Sequence, residues 1–213
     1  MSVIYHSTAA LARVLVKILS NTTVLDGERI PTQGSIIIVC NHNNYLDPVI
    51  VVVSVRRYLS FMAKEELFRV PLLGGFFIST GVIPTKRHSA DRAALRRAEA
   101  VLSSGGAICM FPEGTRSKDG RLLPGQPGAT FLALHSGVPV IPVGITGTQR
   151  VHSPLDVLKR PEIVVNVGEP FSIKKESGAS MGEALQSDTE RIMVAIARLL
   201  PRELRGAYES TVT

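Results

Sequence analysis

Residues 35–48 read SIIIVCNHNNYLDP, and the change of character along this stretch decides the fold class. Ile36, Ile37, Ile38, Val39 and Cys40 form an unbroken apolar run after a turn at residues 31–34. A run without polar alternation is expected of a strand covered on both faces. A polar loop follows, and then Asp47-Pro48 reads as an N-cap with proline at the first helical position. The helix it opens is expected to reach about residue 57, although the valines at 49, 51, 52 and 53 would also suit a strand. A buried strand passing through a polar loop into a helix is the repeating unit of an α/β domain.

The same alternation continues outward. Strands are expected at residues 58–63, 81–84, 106–111, 138–145 and 162–167, with short helices or turns over 64–70 and 71–79. The clearest helix covers 89–104: Ser89 caps it, Ala93, Ala94, Ala98, Val101 and Leu102 share a face, and Gly105 ends it. Another helix spans 128–136 and stops at Gly137. A closing helix over 181–200 turns Met181, Leu185, Ile192, Ile196 and Leu199 inward. Pro139 and Pro142 restrict the strand at 138–145 to an edge or a bulge. With 213 residues, no internal repeat and no linker-like stretch, the chain suits one core. The expected architecture is α/β: a single domain with a largely parallel or mixed sheet flanked by helices. An amphipathic helix at residues 1–24 precedes the domain proper at 25–213.

The net charge is +6, and all of the surplus lies in residues 56–121, which hold twelve basic and six acidic groups. A local basic field suggests an anionic partner. Nucleic acid fits poorly, because the chain has no Trp and its cations are not interleaved with aromatics. Cys40 and Cys109 both sit in apolar runs and read as small buried hydrophobes in a reducing compartment. No zinc spacing is present.

No segment reads as a transmembrane span. The longest uncharged stretch, residues 122–149, is broken by four prolines and five glycines. The first residues lack the parts of a signal peptide. Residues 8–20 read instead as an amphipathic helix with Leu11, Val14, Leu15, Ile18 and Leu19 on one face and Arg13 and Lys17 on another. That face suits either packing on the core or lying in a membrane interface.

Four segments carry chemistry-bearing residues. NHNNYLD places His42 and Asp47 five apart, so the two meet only if the chain turns before the helix begins. A carboxylate on an imidazole fixes its tautomer and makes a general base. The plainer reading is a capping Asp and a loop His. FPEGTRS, residues 111–117, follows a strand and offers Arg116, Thr115, Ser117 and loop amides to a phosphate. Alone it is equally a surface turn with a local Glu113–Arg116 pair, and it lacks P-loop spacing. GVIPTKR, residues 81–87, delivers Lys86 and Arg87 at a strand end. VPVIPVGITG, residues 138–147, says only buried strand.

In this order the four segments resemble those of the 1-acylglycerol-3-phosphate acyltransferase family of glycerolipid acyltransferases. NHNNYLD matches its NHxxxxD motif, FPEGTRS its third motif and VPVIPVGI its fourth, while residues 64–87 resemble the second-motif region. The likeness covers about residues 25–170. It departs at LLPGQPGATF, where Gln126 stands in place of a frequent lysine, and in an N-terminal segment shorter than many relatives have. The resemblance implies transfer of a fatty acyl group from acyl-CoA or acyl carrier protein to a lysophospholipid hydroxyl. His42 would act as base, Asp47 as its orienting partner, and Arg87, Glu113, Gly114, Thr115 and Arg116 would surround the acceptor phosphate. Neither metal nor prosthetic group is required, since a thioester is already activated. A covalent route through Cys40 is disfavoured by its core setting. The expected location is peripheral, at the cytoplasmic face of a membrane. Phe68, Leu72, Leu73, Phe76 and Phe77 suit an acyl groove, a membrane-facing patch or plain core.

Overall fold

A computed structural model describes residues 3–86, 91–174 and 180–212. Seven strands, β1 (Asn21–Leu25), β2 (Ile36–Cys40), β3 (Ser60–Lys64), β4 (Ile83–Thr85), β5 (Ala107–Met110), β6 (Val140–Thr146) and β7 (Glu162–Val167), form one sheet in the order β1-β7-β6-β2-β5-β3-β4. Every neighbouring pair is parallel except β6–β7. The sheet is therefore mixed, and β2 to β6 all point their C-terminal ends to one edge. Helices α1 (Val3–Leu19) and α2 (Asp47–Ser54) lie on one face, and α4 (Arg92–Ser103), α5 (Gly128–Ser136) and α6 (Met181–Arg198) on the other. The short α3 (Leu73–Ser79) links β3 to β4.

β2 shows why its sequence is continuously apolar. Ile37 and Val39 enter the core under α4, α5 and α6, while Ile36, Ile38 and Cys40 enter the core under α2. All five residues are buried, so neither face tolerates a polar side chain.

Several boundaries and faces differ from the sequence reading. β1 was not anticipated, because NTTVL is polar and pairs only with β7 at the sheet margin, leaving most of it exposed. α4 begins at Arg92, where the Asp91 carboxylate accepts from the Ala93 and Ala94 amides; the expected cap, Ser89, lies outside the described residues. α2 ends at Ser54, short of residue 57. Arg57 is thus off the helix, and its guanidinium donates to the carbonyls of Pro31, Gly34 and Gly105. Partial burial lowers its pKa. In α6 the inward residues are Ala184, Met193 and Ala197 with Ile192 and Ile196, while Met181 is exposed in the first turn.

Pro142 does not lie on an edge strand, since β6 runs between β2 and β7. It is tolerated at a bulge. The β6–β7 ladder stops at Val143↔Val167 and pairing resumes at Val140↔Phe171, so the returning chain carries one more residue than β6. Gly168 donates to the Pro142 carbonyl in this gap, at 2.9 Å.

α1 turns out opposite to a core-packed reading of its apolar face. The side that meets the domain carries Tyr5, Ala9 and Val16. Tyr5 stacks near Tyr58 and its hydroxyl accepts from the Leu59 amide. Leu11, Val14, Leu15 and Ile18 project outward, with Leu11 58% and Ile18 59% exposed.

Candidate active site

The site is built where β2 and β5 end side by side. Just past β2, the Asn41 side chain continues the ladder towards β6: its amide donates to the Ile145 carbonyl at 2.8 Å and its carbonyl accepts from the Ile145 amide at 2.7 Å. This two-way clamp sets where His42 leaves the sheet. The loop then reverses around one atom, Asp47 Oδ2. It accepts from His42 Nδ1 at 2.8 Å and from the backbone amides of Asn43 at 2.6 Å and Asn44 at 2.7 Å. Asp47 is fully buried, so nothing but this loop competes for it. The expected N-cap is replaced by a different use of the same carboxylate: Leu46 occupies the cap position, and Asp47 turns back on the loop. With Nδ1 donating to Asp47, the lone pair of His42 falls on Nε2. Phe111 stacks on the imidazole at 4.2 Å between ring centres and limits its tilt.

The loop after β5 is fastened to the His42 loop in three places. Glu113 Oε1 accepts from the His42 amide at 2.5 Å, and the Ser117 amide donates to the His42 carbonyl at 2.8 Å. The third contact is at the surface, where Arg116 donates to the Tyr45 hydroxyl at 2.7 Å with its guanidinium carbon 3.4 Å from the ring centre. Gly114, with φ +67°, makes the turn that a side chain would strain. Gly114, Thr115 and Arg116 are exposed on the rim beside His42. Among the described residues, no group takes the backbone amides of Thr115 and Arg116.

Glu113 departs from the expected phosphate contact. It is 4% exposed, and its second oxygen accepts from the Leu123 amide at 2.8 Å. Both oxygens face protein amides, and a carboxylate at a phosphate would repel it. Burial, with a smaller contribution from the nearby Asp47 charge, raises its pKa to about 7 against the pull of the two amides. It is a strut between loops. Of the two expected strand-end cations, Lys86 is exposed just past β4 and Arg87 lies outside the described residues. Cys40 and Cys109 are free thiols with sulfurs 3.9 Å apart in the buried core. Burial pushes the Cys40 thiol well up, away from the thiolate a nucleophile needs.

Sequence reasoning passed over two residues of this arrangement. Asn41 and Tyr45 both lie within NHNNYLD. An aromatic left on a polar loop was the only available sign of Tyr45, and nothing marked Asn41 as a clamp to β6.

A family model described as Acyltransferase matches residues 21–146. The chain is 35% identical over 127 residues to a chloroplastic 1-acyl-sn-glycerol-3-phosphate acyltransferase of Brassica napus, covering 58% of this chain and 37% of that protein. It is 25% identical over 189 residues to the 1-acyl-sn-glycerol-3-phosphate acyltransferase of Bacillus subtilis, covering 85% of this chain and 92% of that one. The crystal structure of the 1-acyl-sn-glycerophosphate acyltransferase of Thermotoga maritima superposes with a TM-score of 0.68 at 27% identity, over 90% of this chain and 78% of the other. The matched region spans between about a third and a half of the length of the plant relatives.

Proposed function

Because this chain belongs to the Acyltransferase family, we propose that it transfers a fatty acyl group from a thioester, acyl-CoA or acyl carrier protein, to the free hydroxyl of 1-acylglycerol-3-phosphate, yielding phosphatidate. The observation that carries this reading is the His42–Asp47 contact, tied through the His42 amide and carbonyl to Glu113 and Ser117 of the loop bearing Arg116. A base and a cation for the acceptor's phosphate are thus held at a set separation. His42 Nε2 takes the hydroxyl proton as the oxygen attacks the thioester carbonyl. The carbon–sulfur bond then breaks and the proton passes from the imidazolium to the departing thiolate. Asp47 keeps Nε2 free and stabilises the imidazolium. The unclaimed amides of Thr115 and Arg116 are suited to developing negative charge or to the phosphate.

Direct transfer without an acyl-enzyme is supported by the setting of Cys40, a buried thiol with a raised pKa. No metal or prosthetic group enters, because the thioester supplies the activation. The acceptor phosphate is met by Arg116, Thr115, Gly114 and Arg87. A peripheral position on a membrane, which we place at its cytoplasmic face, draws its membrane contact from the outward face of α1, where Leu11, Val14, Leu15 and Ile18 sit beside Lys17. Among the described residues no helix is long and apolar enough to cross a membrane.

The test is an acceptor panel of 1-acylglycerol-3-phosphate, glycerol-3-phosphate and other lysophospholipids, run with one acyl-CoA and one acyl carrier protein donor and read by mass spectrometry. Phosphatidate should dominate, and His42→Ala should abolish it while leaving lipid binding intact. Preferred acylation of another acceptor would reassign the substrate. Equal turnover by His42→Ala would refute the base, and no transfer to any acceptor would leave a lipid-binding protein.

A further inference from the structure

Of the three ties between the His42 loop and the Arg116 loop, two engage the His42 backbone, one from the Ser117 amide and one to the Glu113 carboxylate. The third joins two exposed side chains on the substrate side. Tyr45 is 73% exposed, yet its hydroxyl and its ring face are both engaged by Arg116. An exposed arginine without a partner samples many rotamers and must be ordered before it can grip an anion. Here the guanidinium is stacked on an aromatic plane, and only one of its five N–H groups is used. The remaining in-plane edge stays open to an incoming anion.

The base of this platform is rigid. Residues on both sides of Tyr45 are pinned: the Asn43 and Asn44 amides donate to Asp47, the Leu46 amide donates to the Asn44 side chain, and the Asn44 amide group donates to the carbonyls of Thr148 and Val151. The carboxylate that orients His42 therefore also fixes the backbone that presents Tyr45. We infer that Tyr45 is a positioning residue for the acceptor, holding Arg116 in the orientation in which it grips the phosphate and so setting the reach from phosphate to His42. This rests on Arg116 being the phosphate ligand, and the experiment separates the two claims.

Tyr45→Ala, Tyr45→Phe, Arg116→Ala and the double variant Tyr45→Ala/Arg116→Ala are assayed with 1-acylglycerol-3-phosphate in detergent micelles, varying acceptor and donor separately. Losing an exposed cation–π contact and one hydrogen bond should raise the acceptor KM of Tyr45→Ala about tenfold, with donor KM unchanged and kcat within about twofold. Tyr45→Phe keeps the ring and should recover most of the loss. In the Arg116→Ala background, Tyr45→Ala should add nothing further, because the partner it orders is gone. Thermal melts should fall by no more than a few degrees in any of the four, since the contact lies at the surface. An unchanged acceptor KM in Tyr45→Ala, alongside a raised one in Arg116→Ala, overturns the inference alone. Additive losses in the double variant also overturn it, assigning Tyr45 an independent contact. An unchanged KM in Arg116→Ala removes the phosphate reading and this inference together.

Discussion

Glu113→Gln offers the sharpest test of how the two site loops are joined. In the folded chain the Glu113 carboxyl titrates at about 7 instead of its ordinary 4.5. Below 4.5 it is protonated in both folded and unfolded chains and does not bear on stability. Between 4.5 and 7 the folded chain holds a proton that the unfolded chain releases, so stability falls as pH rises. Above 7 the burial of the charge is fully felt, at a cost on the order of 3 kcal/mol. Glutamine has no charge to bury, but its NH₂ group meets an amide where an oxygen stood. One of the bonds from His42 or Leu123 is lost, costing about 1–3 kcal/mol at every pH. Urea unfolding should therefore show the parent ahead by about 1–3 kcal/mol at pH 5, and level with or behind the variant at pH 8, a change on the order of 3 kcal/mol. A gap of equal size at the two pH values would refute the buried, protonatable strut.

Three further outcomes are expected. Asp47→Asn should lower kcat roughly 10²–10⁴-fold with little change in acceptor KM, because the amide oxygen that must keep the Oδ2 position to accept from the Asn43 and Asn44 amides carries no charge to stabilise the imidazolium; near-normal kcat in a folded variant would contradict that role. Leu11→Glu and Ile18→Glu should abolish co-sedimentation with phospholipid vesicles while changing stability by no more than about 0.5 kcal/mol, and retained sedimentation would argue against α1 as the membrane contact. These substitutions are cleaner than deleting residues 1–24, which would also remove β1 residues paired with β7 and the buried Tyr5 and Ala9. Cys40→Ala should keep near-normal turnover under steady-state assay, whereas complete loss in a folded protein would reopen a covalent route.

How much could be read beforehand depended on whether a signal was local. The limits of β2, α5 and β7 match their runs of apolar or helix-forming residues, because each is bounded by a turn or a glycine in the chain itself. β1 was missed because a polar edge strand exists only through its neighbour. Pro142 could be placed at an edge or a bulge from its missing amide, but only the path of residues 167–171 decided for the bulge. The outward turn of α1 was not legible either, because a helix with apolar residues on much of its circumference does not say which side a domain will cover.

The sequence alone determined the alternation of elements, hence an α/β domain, together with the residue types of a base, its carboxylate and an anion grip. These rest on periodicity and side-chain chemistry, both properties of neighbouring residues. The tertiary structure decided the use of each group. Asp47 became the hub of a loop, Glu113 a buried strut between loops, and Tyr45 a platform for Arg116. The roles of Glu113 and Tyr45 depend on which backbone amides and side chains the sheet brings alongside from residues some 70 positions apart, that of Asp47 on how its own loop reverses, and desolvation at the junction is what shifts Glu113. Spacing within a motif carries no record of such neighbours.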